Sequence, residues 1–264
     1  MAERPRTYKT EGVVLRRRNI GEADSIFTVF SEDQGKFDAV AKGVRKARSH
    51  MRGHLEPLTR SRFLIAQGSS LDVFTQAETI TAYRGVREDL DRGAEAIYCA
   101  ELVDRLTVER QEHRDVYELL LDELDALDAG CPLHVTRLFE VRLLAMLGFE
   151  LQVDGCATCG SRLAEEDQLL APAAGGLVCP SCRAGAGAGR RISPRAIKVL
   201  RFARDASMER FAGLRVDAGL GRELHLALAD VIRAVLEREV NAGRFVEQVA
   251  RLPASHSVTS RDVQ

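Results

Sequence analysis

Four of the six cysteines fall into two CxxC pairs, Cys156-Ala-Thr-Cys159 and Cys179-Pro-Ser-Cys182, separated by the 19 residues from Gly160 to Val178. A tetrahedral zinc ion is satisfied by four thiolates at about 2.3 Å. One CxxC turn offers two sulfurs, and a second closes the shell. The spacing falls inside the window of about 15–20 residues that separates the two knuckles of four-cysteine zinc sites. A redox-active CxxC needs only one pair, so two argue for metal. Four thiolates also leave no open position for water or substrate, which makes the ion structural and not catalytic. The deaminase pattern, H-x-E followed by P-C-x-x-C, is not met. His54-Leu55-Glu56 supplies its first half only superficially, and Gly155 and Val178, not proline, precede the two pairs. Cys99 and Cys131 are isolated and carry no chemistry of their own.

The second group of candidates is cationic. Lys42, Arg45, Lys46, Arg48 and Arg52 are interleaved with small residues in the stretch from Ala41 to Gly53. Such a segment suits a solvated, mobile loop that tracks a phosphate backbone without reading bases. Arg16 and Arg18 are weaker candidates, and strand alternation places Arg17 on the side opposite them. The chain's net charge of −1 points to no polyanionic partner. The basic excess is local, as expected of one nucleic-acid-facing surface. No phosphate-binding glycine loop of the G-x-x-x-x-G-K-[ST] type is present, nor a nucleophile elbow, so neither ATP-driven work nor hydrolysis is expected and the protein reads as a non-enzyme.

These residues need elements to position them. Short runs rich in Val, Ile, Phe and Thr at Glu11–Arg17, Ser25–Phe30, Lys36–Ala41, Thr59–Ala66 and Leu71–Thr75 alternate with Gly, Asn, Asp and Pro turns. Five short strands in so few residues fit an OB-type barrel or another small β-barrel or sandwich. Helical spacing then takes over at Glu88–Leu106, Asp115–Leu127 and Val135–Leu147. Ser193-Pro194 supplies an N-cap and a first-turn proline for a helix through Ala206, and Leu220–Asn241 is strongly amphipathic. Arg183–Arg191 (RAGAGAGRR) reads as a flexible linker. The fold class expected is α+β: an OB-fold DNA-binding barrel over 1–82, a helical domain over 83–150 and 191–250, an inserted zinc module over 151–190 and a disordered tail over 251–264. Hydrophobic residues make up 45% of the chain, but aromatics only 5% with no Trp, so base stacking should be limited. The opening residues lack a secretory h-region and no stretch is long and apolar enough to span a membrane, so reduced thiols in a cytoplasmic setting are expected.

The strings themselves resemble the bacterial DNA repair protein family RecO. The resemblance rests on Tyr8–Leu15 (YKTEGVVL), Gly21–Ser25 (GEADS), Gly35-Lys36, Ala41–Arg45 (AKGVR) with Lys46 and Arg48, Leu55–Leu58 (LEPL), and Gln76–Glu78 (QAE). It continues through Ala100–Asp104 (AELVD), Phe139–Leu144 (FEVRLL) and Leu147–Phe149 (LGF), and covers residues 8 to about 240. It implies a recombination mediator, associated with the nucleoid, that binds single- and double-stranded DNA and anneals complementary strands. It further implies that the protein helps load the RecA recombinase with RecR, and with RecF in some cases. The DNA would be coated by single-strand-binding protein, whose acidic C-terminal tail docks on the helical domain. Arg105, Arg137 and Arg142 are the helical cations from which a clamp for that tail could be built. A zinc-ribbon transcription regulator is the alternative that the residues leave open.

Overall fold

The computed structural model describes residues 7–250, with side chains through Glu237. The tail expected to be disordered lies outside the described residues.

The chain opens with β1 (Thr7–Ile20), β2 (Asp24–Ser31), β3 (Gly35–Ala41), β4 (Arg60–Ala66) and β5 (Asp72–Thr81). They close into a barrel of order β1-β2-β3-β5-β4. All neighbours are antiparallel except β3 and β5, which meet in parallel at Ala39↔Asp72 and Val40↔Val73. That order and its one parallel seam are the OB topology. The inward residues Val14, Phe27, Val29, Phe37, Ala39, Phe63, Ile65 and Phe74 fill the barrel, and Val44 and Leu55 plug it from the connection between β3 and β4. β1 extends the expected Glu11–Arg17 strand at both ends, from Thr7 through Arg18 to Ile20. A bulge between Val14 and Arg16 redirects it.

Helices follow: α1 (Arg84–Glu88), α2 (Leu90–Leu106), α3 (Arg114–Asp128) and α4 (Val135–Met146). The Asp89 carboxylate caps α2 by accepting the backbone N–H groups of Asp91 and Arg92. A small sheet of β6 (Gln168–Ala171), β7 (Gly176–Val178) and β8 (Arg190–Ile192) interrupts the helices, in the order β7-β6-β8. Then come α5 (Pro194–Asp205), α6 (Met208–Ala212) and α7 (Ala218–Ala250). The Ser193 hydroxyl accepts the Ala196 N–H at 3.2 Å, and Pro194 occupies the first turn of α5, as the sequence leads one to expect.

The segment expected to be a flexible linker is structured. Residues Pro180–Gly185 form a 3-10 turn, and Arg190 and Arg191 pair with Leu170 and Leu169 in the sheet. Burial of Ile192 in the helical core supplies the driving force that the Gly/Ala composition conceals.

Barrel and helices share one core. Val13, Leu15 and Phe30 turn away from the barrel interior and pack with the helical residues, with the Phe30 ring 6.2 Å from that of Tyr117. The seam is also polar. Lys36 Nζ donates to the carbonyls of Asp104 and Thr107 at the end of α2, and Arg110 N–H donates to the Lys36 carbonyl at 2.8 Å. Arg110, at φ +60°, lies over the Phe37 ring at 4.9 Å and pairs with Asp72, which also accepts the Tyr8 hydroxyl at 2.6 Å. Burial alone would push the Asp72 carboxyl up, but the bonds from Tyr8 and Arg110 hold it below its usual range. Gly35, at φ +60°, allows this close approach, because a Cβ there would run into the Gln111 carbonyl.

Candidate metal centre and nucleic-acid interface

The two CxxC pairs come together. Cys156 and Cys159 sit on a turn closed by Cys156 N–H to Ser161 O at 2.9 Å and Gly160 N–H to Cys156 O at 2.8 Å. Gly160, at φ +73°, makes that tight reversal possible. Cys179 leaves the end of β7, and Cys182 follows on the 3-10 turn, its N–H donating to Cys179 O at 3.1 Å. The four Sγ atoms lie within 4.8 Å of one another, and Cys159 and Cys179 are 3.8 Å apart. A tetrahedron with metal–sulfur bonds of about 2.3 Å has an edge of about 3.8 Å, so the donor set fits one ion. The backbone N–H groups of Cys179 and Cys159 pull the Cys156 thiol down to about 6, and the Ser161 hydroxyl lowers that of Cys159. Thiolates this close repel unless a cation lies between them, which is the electrostatic demand a metal meets.

The module is tied to the helices by cations, not by a shared apolar face alone. The Arg201 guanidinium donates twice to Val153 O, at 2.8 and 2.7 Å, and Arg204 pairs with Asp154 at 2.7 Å. Gln152 N–H donates to Gly175 O at 3.0 Å and Gln152 O accepts the Leu177 N–H at 2.9 Å, bracketing Gly176, where a Cβ would clash with Gln152.

The basic stretch is anchored, not loose. Val44 is buried in the barrel, Gly43 N–H donates to Asp24 Oδ1 at 2.7 Å, and Arg45 N–H donates to Ala23 O at 2.9 Å. Successive turns, Lys46 N–H to Gly43 O and Ser49 N–H to Lys46 O, both at 3.0 Å, carry it to the 3-10 turn Arg52–Leu55, where Leu55 is buried. The expected mobility is thus restricted by two apolar pins. Lys42, Arg45, Lys46, Arg48 and Arg52 are all exposed, and among the described residues none of the five forms an ion pair. Arg45 alone uses its guanidinium internally, toward Gly21 O at 3.1 Å.

The other arginines of the barrel contrast with these. Arg16 pairs with Asp104 at 2.6 Å, Arg18 with Asp38 at 2.5 Å, and Arg62 with Glu11 at 2.6 Å. Arg17 lies 5.7 Å over the Phe27 ring. Arg16 and Arg18 are therefore already neutralised by partners, and Asp104, which holds Arg16, comes from the helical domain.

Sequence comparison agrees with the architecture. The chain matches the family description "Recombination protein O N terminal" over residues 3–83 and "Recombination protein O C terminal" over residues 87–243. The chain belongs to the RecO family. It is 35% identical over 261 residues to the DNA repair protein RecO of Roseiflexus sp. (strain RS-1), covering 97% of this chain and 91% of the relative. It is 32% identical over 249 residues to that of Dehalococcoides mccartyi (strain ATCC BAA-2266 / KCTC 15142 / 195), covering 94% and 98%. With the RecO of Symbiobacterium thermophilum it shares 34% over 244 residues, covering 91% and 96%.

The three helical arginines singled out for the RecO partner pocket do not converge. Arg105 is exposed and pairs with Glu101 one turn away at 2.7 Å. Arg142 donates to the carbonyls of Ala203 and Ala206, capping the C-terminus of α5. Arg137 is 5% exposed, pairs with Glu95 at 3.2 Å and Glu140 at 3.1 Å, and has His225 Nδ1 at 2.6 Å. Its donors are spent inside the helical bundle, so in this arrangement it presents no free fork to an incoming carboxylate. Around it lies a buried polar cluster the sequence reading missed. Glu123 accepts the Thr136 hydroxyl at 2.8 Å, Glu140 accepts the Tyr98 hydroxyl at 2.6 Å, and both carboxylates are fully buried. Burial, above all, pushes each of these two carboxyls up to about 7.

Among the described residues no helix is long and apolar enough to cross a membrane.

Proposed function

We propose that this RecO-family chain binds single- and double-stranded DNA through the loop cations Lys42, Arg45, Lys46, Arg48 and Arg52. The contacts go to phosphate and are independent of sequence. By holding two polyanions close and lowering their repulsion, the loop promotes annealing of complementary strands. In the cell, by the family resemblance, the chain works in the cytoplasm at the nucleoid. It acts with RecR, and with RecF where that protein takes part, to help load RecA on DNA coated by single-strand-binding protein. The acidic tail of that protein is engaged on the helical domain. One zinc ion held by Cys156, Cys159, Cys179 and Cys182 is structural, and no catalytic step belongs to the protein.

The observation that carries this reading is the state of the loop cations. Five exposed positive charges lie on one anchored loop with no carboxylate partner, on a barrel whose other arginines are mostly paired. Unpaired charge held at fixed positions is free to replace counterions on a nucleic acid. The test is a strand-annealing assay with DNA coated by single-strand-binding protein, comparing intact protein with a form lacking its acidic tail. Annealing that depends on the tail supports the reading, and no acceleration with either form refutes it.

A further inference from the structure

The outer face of the barrel formed by β1, β4 and β5 carries a groove of about 580 Å³. Strand register lays Lys9, Leu64 and Gln76 side by side across it, with Arg62 and Glu78 in the next row. The other wall is the second half of the basic loop, through His50, Met51 and His54. The volume is within the range of about 300–1,000 Å³ typical of sites for small organic groups. Its lining combines the apolar Met51 and Leu64 with the side chains of Lys9 and Gln76, which donate hydrogen bonds. Lys9 is exposed and, among the described residues, has no ion pair. His54 Nδ1 lies 2.8 Å from the Thr79 hydroxyl and 3.2 Å from the Thr79 backbone N–H, which fixes the imidazole on the groove wall.

The opposite face is unsuited to a polyanion. OB barrels commonly bind across strands 2 and 3. Here β2 and β3 present Asp24 and Asp38, and the nearby Arg18 is consumed by Asp38. One end of that face is roofed by the segment after α2, through Lys36, Glu109 and Arg110.

We infer that the β1–β4–β5 groove receives the bases of single-stranded DNA whose phosphates lie on the adjoining loop cations. The inference rests on the DNA-binding reading above and deepens it. A duplex keeps its base faces stacked inside and can use only the loop. A single strand can add contact of its flat base faces with Met51 and Leu64 and accept hydrogen bonds from the Lys9 and Gln76 side chains. The groove thus gives the protein a preference for single strands at no cost to duplex binding.

Two measurements on the full-length protein test it. An oligothymidylate carrying iodouracil is photocrosslinked and the adducts are mapped by mass spectrometry. Adducts on His50, Met51 or His54 are expected. DNA bound with adducts confined to β2, β3 or the helices overturns the groove and leaves the loop reading intact, whereas no binding at all overturns both. The second measurement is Gln76→Glu, an isosteric change that puts a negative charge on the groove floor. At 0.15 M salt, where charges beyond about 8 Å are largely screened, single-strand affinity should fall about tenfold and duplex affinity no more than about twofold. Equal losses for the two DNAs overturn the inference.

Discussion

Replacing Lys42, Arg45, Lys46 and Arg48 together by glutamine removes four of the five loop charges that have no ion-pair partner. None of the four side chains is buried, and the loop's anchors at Val44, Leu55 and Asp24 remain, so the fold should be retained. Each phosphate contact on a single strand contributes about 0.7 to the slope of log affinity against log salt, so four lost contacts flatten that slope by about 3. Between 50 and 200 mM salt the native protein should therefore lose about 50-fold more affinity than the variant. Fluorescence anisotropy of a labelled oligothymidylate over that range reads both slopes. The double change Arg16→Gln with Arg18→Gln is the internal comparison, because those cations are already paired with Asp104 and Asp38. It should move the slope by less than about 1. A quadruple variant whose slope stays within about 1 of the native value, or a double variant that matches it, refutes the assignment of DNA binding to unpaired loop charge.

Glu123 titrates at 4.5 when solvated and at about 7 in the folded protein. The folded state holds its proton more tightly, so this carboxyl's contribution is complete below about pH 4.5 and is lost as pH rises through 7, at a cost of about 3 kcal/mol. Glu123→Gln should therefore gain about 2–3 kcal/mol more at pH 8 than at pH 5 in urea unfolding, and an identical effect at both pH values would contradict burial as the cause. Cys156→Ser, or chelation of the metal, should lower the melting temperature by several degrees, at about 2–4 °C per kcal/mol, while DNA affinity per folded molecule changes less than about twofold. Loss of affinity with an intact fold would restore a recognition role to the knuckle. Arg110→Ala removes the cation paired with the buried Asp72 carboxylate, leaving it only the Tyr8 hydroxyl and the Gly68 N–H, and should destabilise the protein by about 1–3 kcal/mol in the same assay. No change would mean that this contact does not secure the seam.

The cysteine site was legible because metal chemistry imposes a local spacing that survives in one dimension. The barrel was legible for a similar reason, since β-branched runs between turn residues appear in order along the chain. The fate of the arginines was not. Whether Arg16 is free depends on Asp104, 88 residues further on, and on a bulge that sets the register of β1. Composition misled at Arg183–Arg191, where small residues suggested slack but pairing with β6 and burial of Ile192 impose order. The groove could not be seen, because Lys9, Leu64 and Gln76 become neighbours only once three strands are registered. Glu123 did leave a trace. It falls on the same helical stripe as Val116, Leu120 and Leu127, an acid where periodicity calls for an aliphatic residue.

The Val13, Leu15 and Phe30 side chains bear on how the protein can be taken apart. They belong to the barrel by sequence and to the helical bundle by packing. A fragment cut near Ala82 would carry these three apolar groups into water, along with a Lys36 ammonium deprived of its two carbonyl acceptors. Such a fragment should be sticky and poorly folded, and its DNA binding would report that defect more than the loop. Assigning activities to the two halves of this chain is therefore a task for point substitutions in the intact protein, not for truncation.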